Sequence, residues 1–213
     1  MHSRFEHYFP TLNKEGEEPR FETERRVTVG RLNGLAGGYD VTGSIDLYDH
    51  RNAATIDWKI VGPTTLRQVK AHGVSQQYRV QASLYGTGLH REHLPIRTSC
   101  IYFLPRNAAS LNDAIAWETD WDPRPGRWAL ARAQLLVNIM DLIEESDGTR
   151  VRDAWIHQLP ESPTHDFNDG AWPDDDPLGL ATGEQPSVPG KWTRLIPLIE
   201  PTYKQTTTQK EDE

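Results

Sequence analysis

Gly43-Ser44-Ile45-Asp46-Leu47, the polar turn Asp49-His50-Arg51-Asn52 and then Ala54-Thr55-Ile56-Asp57-Trp58-Lys59-Ile60 form the stretch on which the fold depends. Side chains of a strand alternate between its two faces. Ile56, Trp58 and Ile60 therefore share one face of the second segment, and Thr55, Asp57 and Lys59 share the other. In the first segment Val41, Ile45 and Leu47 alternate against Thr42, Ser44 and Asp46, so antiparallel pairing across the turn brings Asp46 beside Asp57. Two carboxylates and one lysine then meet on one sheet face. Such carboxylates repel each other unless a cation lies between them, and hard oxygen donors suit Mg2+ or Mn2+. A divalent ion there would favour phosphodiester hydrolysis, with the Lys59 ammonium orienting the attacking water and offsetting transition-state charge. The bland alternative is an exposed polar face carrying a Lys–Asp ion pair, and an Asp-X-Lys triplet alone is a weak signal.

Outward from this core, the periodicity predicts a short helix over residues 1–12, strands at about 23–33, 39–48 and 54–60, and helices near 65–72 and 75–91. Gly62-Pro63 ends the third strand, and Ser75 can cap the longer helix. Strands follow at about 97–104 and 114–121, then an amphipathic helix over 127–146. Beyond about residue 159 the texture changes: Pro160 to Pro189 is rich in Pro, Asp and Gly and is expected to pack irregularly or be partly disordered, and the polar Thr206 to Glu213 is expected to form a frayed tail. The expected organisation is a catalytic domain over 1–158 and an acidic extension over 159–213.

The net charge of −8 argues against nucleic-acid binding until its distribution is considered. Residues 151–213 carry 12 acidic and 5 basic side chains, leaving the first 150 residues near neutrality. Residues 64–106 hold Arg67, Lys70, Arg79, Arg91, Arg97 and Arg106 against Glu92 alone, a local surplus able to follow a phosphate backbone or to form a solvated helix face. No apolar run approaches the roughly 20 residues that cross a bilayer, and no signal-peptide pattern opens the chain, so a cytoplasmic protein without membrane partners is expected. The single cysteine, Cys100, lies in an apolar run and reads as buried, which excludes an intrachain disulfide framework or multi-cysteine metal site.

Taken together, Gly43-Ser44-Ile45-Asp46 and Thr55-Ile56-Asp57-Trp58-Lys59 resemble the strand-borne motif of PD-(D/E)XK nucleases. The helix Gln76-Gln77-Tyr78-Arg79-Val80-Gln81-Ala82-Ser83-Leu84-Tyr85 resembles the Gln-X-X-X-Tyr helix of RecB-like and CRISPR-associated exonucleases, with Gln81 and Tyr85 on one helix face and Gln77 a turn earlier. His2, followed by Glu6, matches the histidine that completes the metal shell in that branch; His7 is a weaker match. Ile101 to Arg106 resembles the strand after the Gln/Tyr helix, with Arg106 at its end able to contact phosphate. The resemblance covers about residues 1–106.

It implies an α/β, restriction-endonuclease-like core: a central mixed sheet flanked by helices. Asp46, Asp57, the Trp58 carbonyl and His2 would hold Mg2+ or Mn2+, Lys59 would position water, and Gln77, Gln81, Tyr85 and Arg106 would contact substrate. The implied activity is a DNA exonuclease leaving 5′-phosphates, acting on single strands or free ends in recombination, repair or phage replication, in the host cytoplasm if phage-encoded, alongside recombination or replication proteins. The cysteines of the iron–sulfur relatives are absent, so no cluster is expected. Two alternatives remain: an endonuclease of the same fold, and a non-catalytic DNA-binding or recombination-partner module.

Overall fold

The computed structural model describes residues 2–106, 110–160, 186–199 and 201–204. Helix α1 (His2–Tyr8) and a 3-10 turn lead into β1 (Phe21–Gly34), β2 (Gly37–Asp49) and β3 (Ala54–Val61). Helices α2 (Pro63–His72) and α3 (Gln76–Arg91) carry the chain to β4 (Thr98–Pro105), and β5 (Ile115–Asp120) completes a five-stranded sheet in the order β1-β2-β3-β4-β5. The protein is an α/β fold with a mixed sheet flanked by helices. β2 and β3 are antiparallel, β3 and β4 parallel, and β4 and β5 antiparallel. A parallel neighbour cannot be reached by a tight turn, and α2 and α3 provide the crossover. Ser75 accepts a hydrogen bond from the Tyr78 backbone N–H and caps α3, as its sequence predicts.

Each sheet face has its own core. On the α2/α3 face, Val61, Val69, Val74, Ala82, Ile101 and Phe103 pack together, next to a cluster of Val27, Val29, Ile45, Tyr48 and Leu89. On the opposite face Leu47, Trp58 and Leu104 are covered by Phe5 and Phe9 of the N-terminal segment, with the Phe5 and Trp58 rings 4.8 Å apart.

Contacts divide the chain into two units, one of residues 1–32 and 38–130, the other of 33–37 and 131–213. The boundary expected at 158 does not coincide with this division. Helix α4 (Arg124–Asp147), whose residues 124–130 belong to the first unit and the rest to the second, ends at Gly148, whose φ of +86° lies in the left-handed region glycine tolerates, and α5 (Thr149–Ile156) follows. α4 contains the helix expected over 127–146, and α5 lies beyond it, where no particular helix was placed.

Past the stretch expected to be irregular, which ends at Pro189, residues 190–199 carry α6 (Gly190–Thr193) and a 3-10 turn. Their Trp192, Leu195 and Ile199 pack against Ile139, Ile143 and Trp155, since these few apolar residues have a greasy surface to cover. Residues 161–185 and 205–213, most of the acidic extension, lie outside the described residues. Among the described residues no helix is long and apolar enough to cross a membrane. Cys100 is buried and free, as expected.

Candidate functional site

The turn between β2 and β3 sets the register that builds the site. Leu47 pairs with Ile56, Tyr48 with Thr55 and Asp49 with Ala54, and the ladder stops one step short of Asp46 and Asp57. At that point the Trp58 backbone N–H donates to Asp46 Oδ2 at 2.8 Å.

Simple alternation along β2 fails here. Ile45 and Tyr48 belong to the α3 face and Leu47 to the opposite one, so the alternation slips by one residue around Asp46, as a bulge makes it do. The expectation that Ile45 and Leu47 share a face is therefore corrected.

Asp57 is 6% exposed, on the α3 face of the sheet. Its Oδ2 lies 2.8 Å from Lys59 Nζ, yet the geometry is that of an ion pair and not a hydrogen bond, so this buried oxygen has no hydrogen-bond donor. Lys59 in turn lies over the Tyr78 ring, 5.4 Å from its centroid, a cation–π contact that fixes the ammonium from the helix side. Tyr78 is held edge-on to Phe103 in the core.

One turn further along α3, the Gln81 side-chain amide donates to the Tyr85 hydroxyl at 2.8 Å. A phenol oxygen that accepts from an amide directs its own proton elsewhere, so Tyr85 is set up as a donor. Burial pushes the Tyr85 hydroxyl up to about 12; the Gln81 hydrogen bond works against this, and the charges of Asp57, Asp46 and Glu24 add to the rise. The phenol thus senses all three carboxylates. Because its folded value exceeds the unfolded value near 10, its contribution to stability is full below about pH 10 and lost as pH climbs towards 12. Tyr85→Phe is expected to remove the last-titrating tyrosinate from a spectrophotometric titration and to flatten the alkaline fall in stability. An unchanged alkaline profile would show that the phenol is not held in this environment.

The structure therefore brings together Asp46, Asp57, Lys59, Gln81 and Tyr85. Gln77 is exposed on the same helix and lines a groove with Gln81 and Tyr85. Arg106 stands at the end of the sheet, where its backbone N–H donates to the Val61 carbonyl and its guanidinium to the Ile60 carbonyl at 3.4 Å. Its described contacts are with backbone and not with the carboxylates. The helix bearing His2 packs on the Trp58 face, opposite Asp57, while the His2 side chain lies outside the described residues.

Two residues were not anticipated. Glu24 accepts from the Ser44 hydroxyl at 3.0 Å at a strand position with φ of +51°, and its charge reaches Tyr85. Tyr78 was read only as part of the helix, although its place three residues before Gln81 put it on the same helix face.

Among the described residues no three His, Cys, Asp or Glu side chains are gathered into a ready metal site. The donors nonetheless fit a hard cation: carboxylate and carbonyl oxygens without thiolate, and a buried Asp57 oxygen lacking a hydrogen-bond donor. A cavity of about 730 Å3 lies on the far side of the sheet, over Ile56 and Tyr102, and of the candidate residues it touches only Trp58.

No family model matches the chain, and no curated protein matches it. Among solved structures it is similar to a protein described as SSO0001, at 15% identity and a TM-score of 0.37, over 54% of this chain and 50% of that one. The chain thus spans about half the length of that protein, and the likeness is too slight to assign a fold family.

Proposed function

We propose that this chain is a divalent-metal-dependent deoxyribonuclease built on a PD-(D/E)XK core, of the RecB-like exonuclease type. The observation that carries this reading is the buried Asp57 carboxylate, short of hydrogen-bond donors, paired with Lys59 and bordered by Asp46 and the Gln81–Tyr85 pair. A structural ion pair has no need of a second carboxylate turned onto the neighbouring backbone or of a donor phenol above it.

Asp46, Asp57 and the Trp58 carbonyl would hold Mg2+ or Mn2+. The ion, when bound, supplies Lewis acidity to the phosphodiester. The other steps belong to the chain's own side chains. Lys59, steered by Asp57 and Tyr78, orients the attacking water and places positive charge beside the phosphorus as negative charge builds up. Tyr85 donates a hydrogen bond to a phosphate oxygen while the Gln81 amide holds the phenol oxygen, and a phenol that stays protonated to about pH 12 remains a donor throughout the physiological range.

Arg67 and Lys70 on α2 and Arg106 at the strand end offer positive charge for the DNA backbone. The substrate is DNA with free ends or single strands, the products carry 5′-phosphates, and the setting is recombination, repair or phage replication in the cytoplasm, alongside proteins of those processes. No iron–sulfur cluster is part of this reading.

The test is digestion of end-labelled linear and of circular DNA, single- and double-stranded, with Mg2+, with Mn2+ and with chelator. Metal-dependent loss of linear DNA with circles spared is the expected result. Nicking or opening of circles would make the enzyme an endonuclease of the same fold. DNA binding without cleavage under either metal would leave a non-catalytic binding module as the better description.

A further inference from the structure

Beside the carboxylates, a groove of about 260 Å3 runs between α3 and β2, and Tyr85 and Gln81 form its wall nearest them. Val41, Val80 and Leu84 give it apolar sides, and the exposed Gln77 amide stands at its rim. No lysine or arginine is among the described residues that line it, and the Arg26 guanidinium, which donates to the Thr42 hydroxyl at 3.2 Å, stands at its strand-side edge. Gly43 forms part of the floor because a Cβ at that position would come within 2.7 Å of the Tyr85 ring. The ring can lie flat against the strand only where a glycine stands.

We propose that this groove is the subsite for the nucleobase adjoining the scissile phosphate, an assignment that rests on the nuclease reading above. The occupant must be largely apolar, uncharged and attached to a phosphate within reach of Tyr85 and Lys59. A nucleobase meets all three conditions. Its π-face suits the aliphatic walls and the Tyr85 ring, and its polar edge faces the rim. The Gln77 amide carries both donors and an acceptor, so it can meet any base edge. The groove therefore predicts dependence on the presence of a base with little preference for its identity, as stacking-based single-strand sites show.

The experiment compares an end-labelled oligothymidylate with the same strand carrying abasic tetrahydrofuran nucleotides at both ends, cut in Mg2+ by the native chain and by two groove-filling variants. Thr42→Trp obstructs the rim from an exposed strand position, at the cost of one exposed hydrogen bond from Arg26, and its melting temperature is measured alongside. Val80→Phe fills the groove from the helix side. The native chain is expected to favour the base-bearing strand about tenfold in kcat/KM, mainly through KM, as loss of one stacked base implies. Both variants are expected to cut the two strands equally. A native preference that survives both substitutions, or no native preference at all, overturns the groove assignment and leaves the nuclease reading standing. Failure of the native chain to cut either strand overturns the nuclease reading, and the groove assignment with it.

Discussion

Asp57→Asn is expected to lower metal-dependent DNA cleavage by roughly a hundredfold to a thousandfold, the scale on which removing one preorganised electrostatic group acts. The same substitution should leave the fold intact. Asparagine keeps the shape of aspartate, and the position is enclosed at 6% exposure, so packing is retained. Removing the charge also removes the desolvation cost of a carboxylate whose Oδ2 lacks a hydrogen-bond donor. The Lys59 side chain is 21% exposed and keeps the Tyr78 ring beneath it, so its ammonium is not stranded. Melting temperature is therefore expected to hold or to rise slightly, the pattern of a group retained for chemistry at the expense of stability.

Lys59→Ala should lose cleavage on the same scale with DNA affinity in chelator little changed, and the double variant should be scarcely worse than either single one, because the two groups act on one event. Single-turnover rates, melting curves and binding titrations on the same preparations decide the matter. Full activity in Asp57→Asn, or a collapse of folding without specific loss of cleavage in Lys59→Ala, would sink the assignment of the pair to catalysis and return it to a plain structural ion pair.

Much of this site was legible in the chain. The period-two pattern of residues 54–61 and the turn before it were enough to place Asp57 and Lys59 together, because a buried strand tolerates no register shift without turning its apolar side chains out. The i,i+4 spacing of Gln81 and Tyr85 likewise put amide and phenol on one helix face, since helix geometry is local, and the hydrogen bond between them follows from that neighbourhood.

What escaped depends on less local causes. The slip around Asp46 comes from where the β2–β3 ladder ends and a backbone N–H turns to a carboxylate, and hydrophobic pattern carries no trace of it. Glu24 reaches the site from a strand residue in a left-handed conformation, where strict alternation gives no guide to side-chain direction. The Lys59–Tyr78 contact joins a strand to a helix across the crossover, and only the packing of α3 on β3 and β4 creates it. No element was placed over 190–199 because Trp192, Leu195 and Ile199 are sparse in a polar segment and become core only once α4 and α5 present Ile139, Ile143 and Trp155.

Asp49→Ala is expected to cost about 3 kcal/mol of stability, the scale for removing one partner from a buried, multiply hydrogen-bonded charge. Asp49 is 4% exposed and closes the β2–β3 turn. Its Oδ1 accepts from the Arg51 and Asn52 backbone N–H groups at 3.0 and 3.1 Å, and its Oδ2 from the Asn52 side chain at 2.8 Å and Arg20 Nη2 at 2.9 Å. Arg20 is 41% exposed and retains water if its partner goes, so most of the loss falls on the turn itself. That turn also carries Ala53 at φ of +51°, a strained conformation for a residue with a Cβ, and these bonds hold it.

The pH dependence gives the argument its sharpest check. Burial alone would raise the Asp49 carboxyl, but the Arg20 and turn hydrogen bonds outweigh it and hold the group below its usual value. A depressed folded value means that the stabilisation is present above about pH 4, where the unfolded carboxyl is ionised, and fades as pH falls through the folded value. The stability gap between native and variant, measured by denaturant unfolding, should therefore be widest near neutrality and narrow in acid. Cleavage should weaken together with stability, because the same turn sets the Leu47–Ile56 register that leaves Asp46 and Asp57 side by side. A gap that stays constant from neutral to strongly acidic pH would mean that the carboxylate charge plays no part in holding the turn, and the register would then rest on strand packing alone.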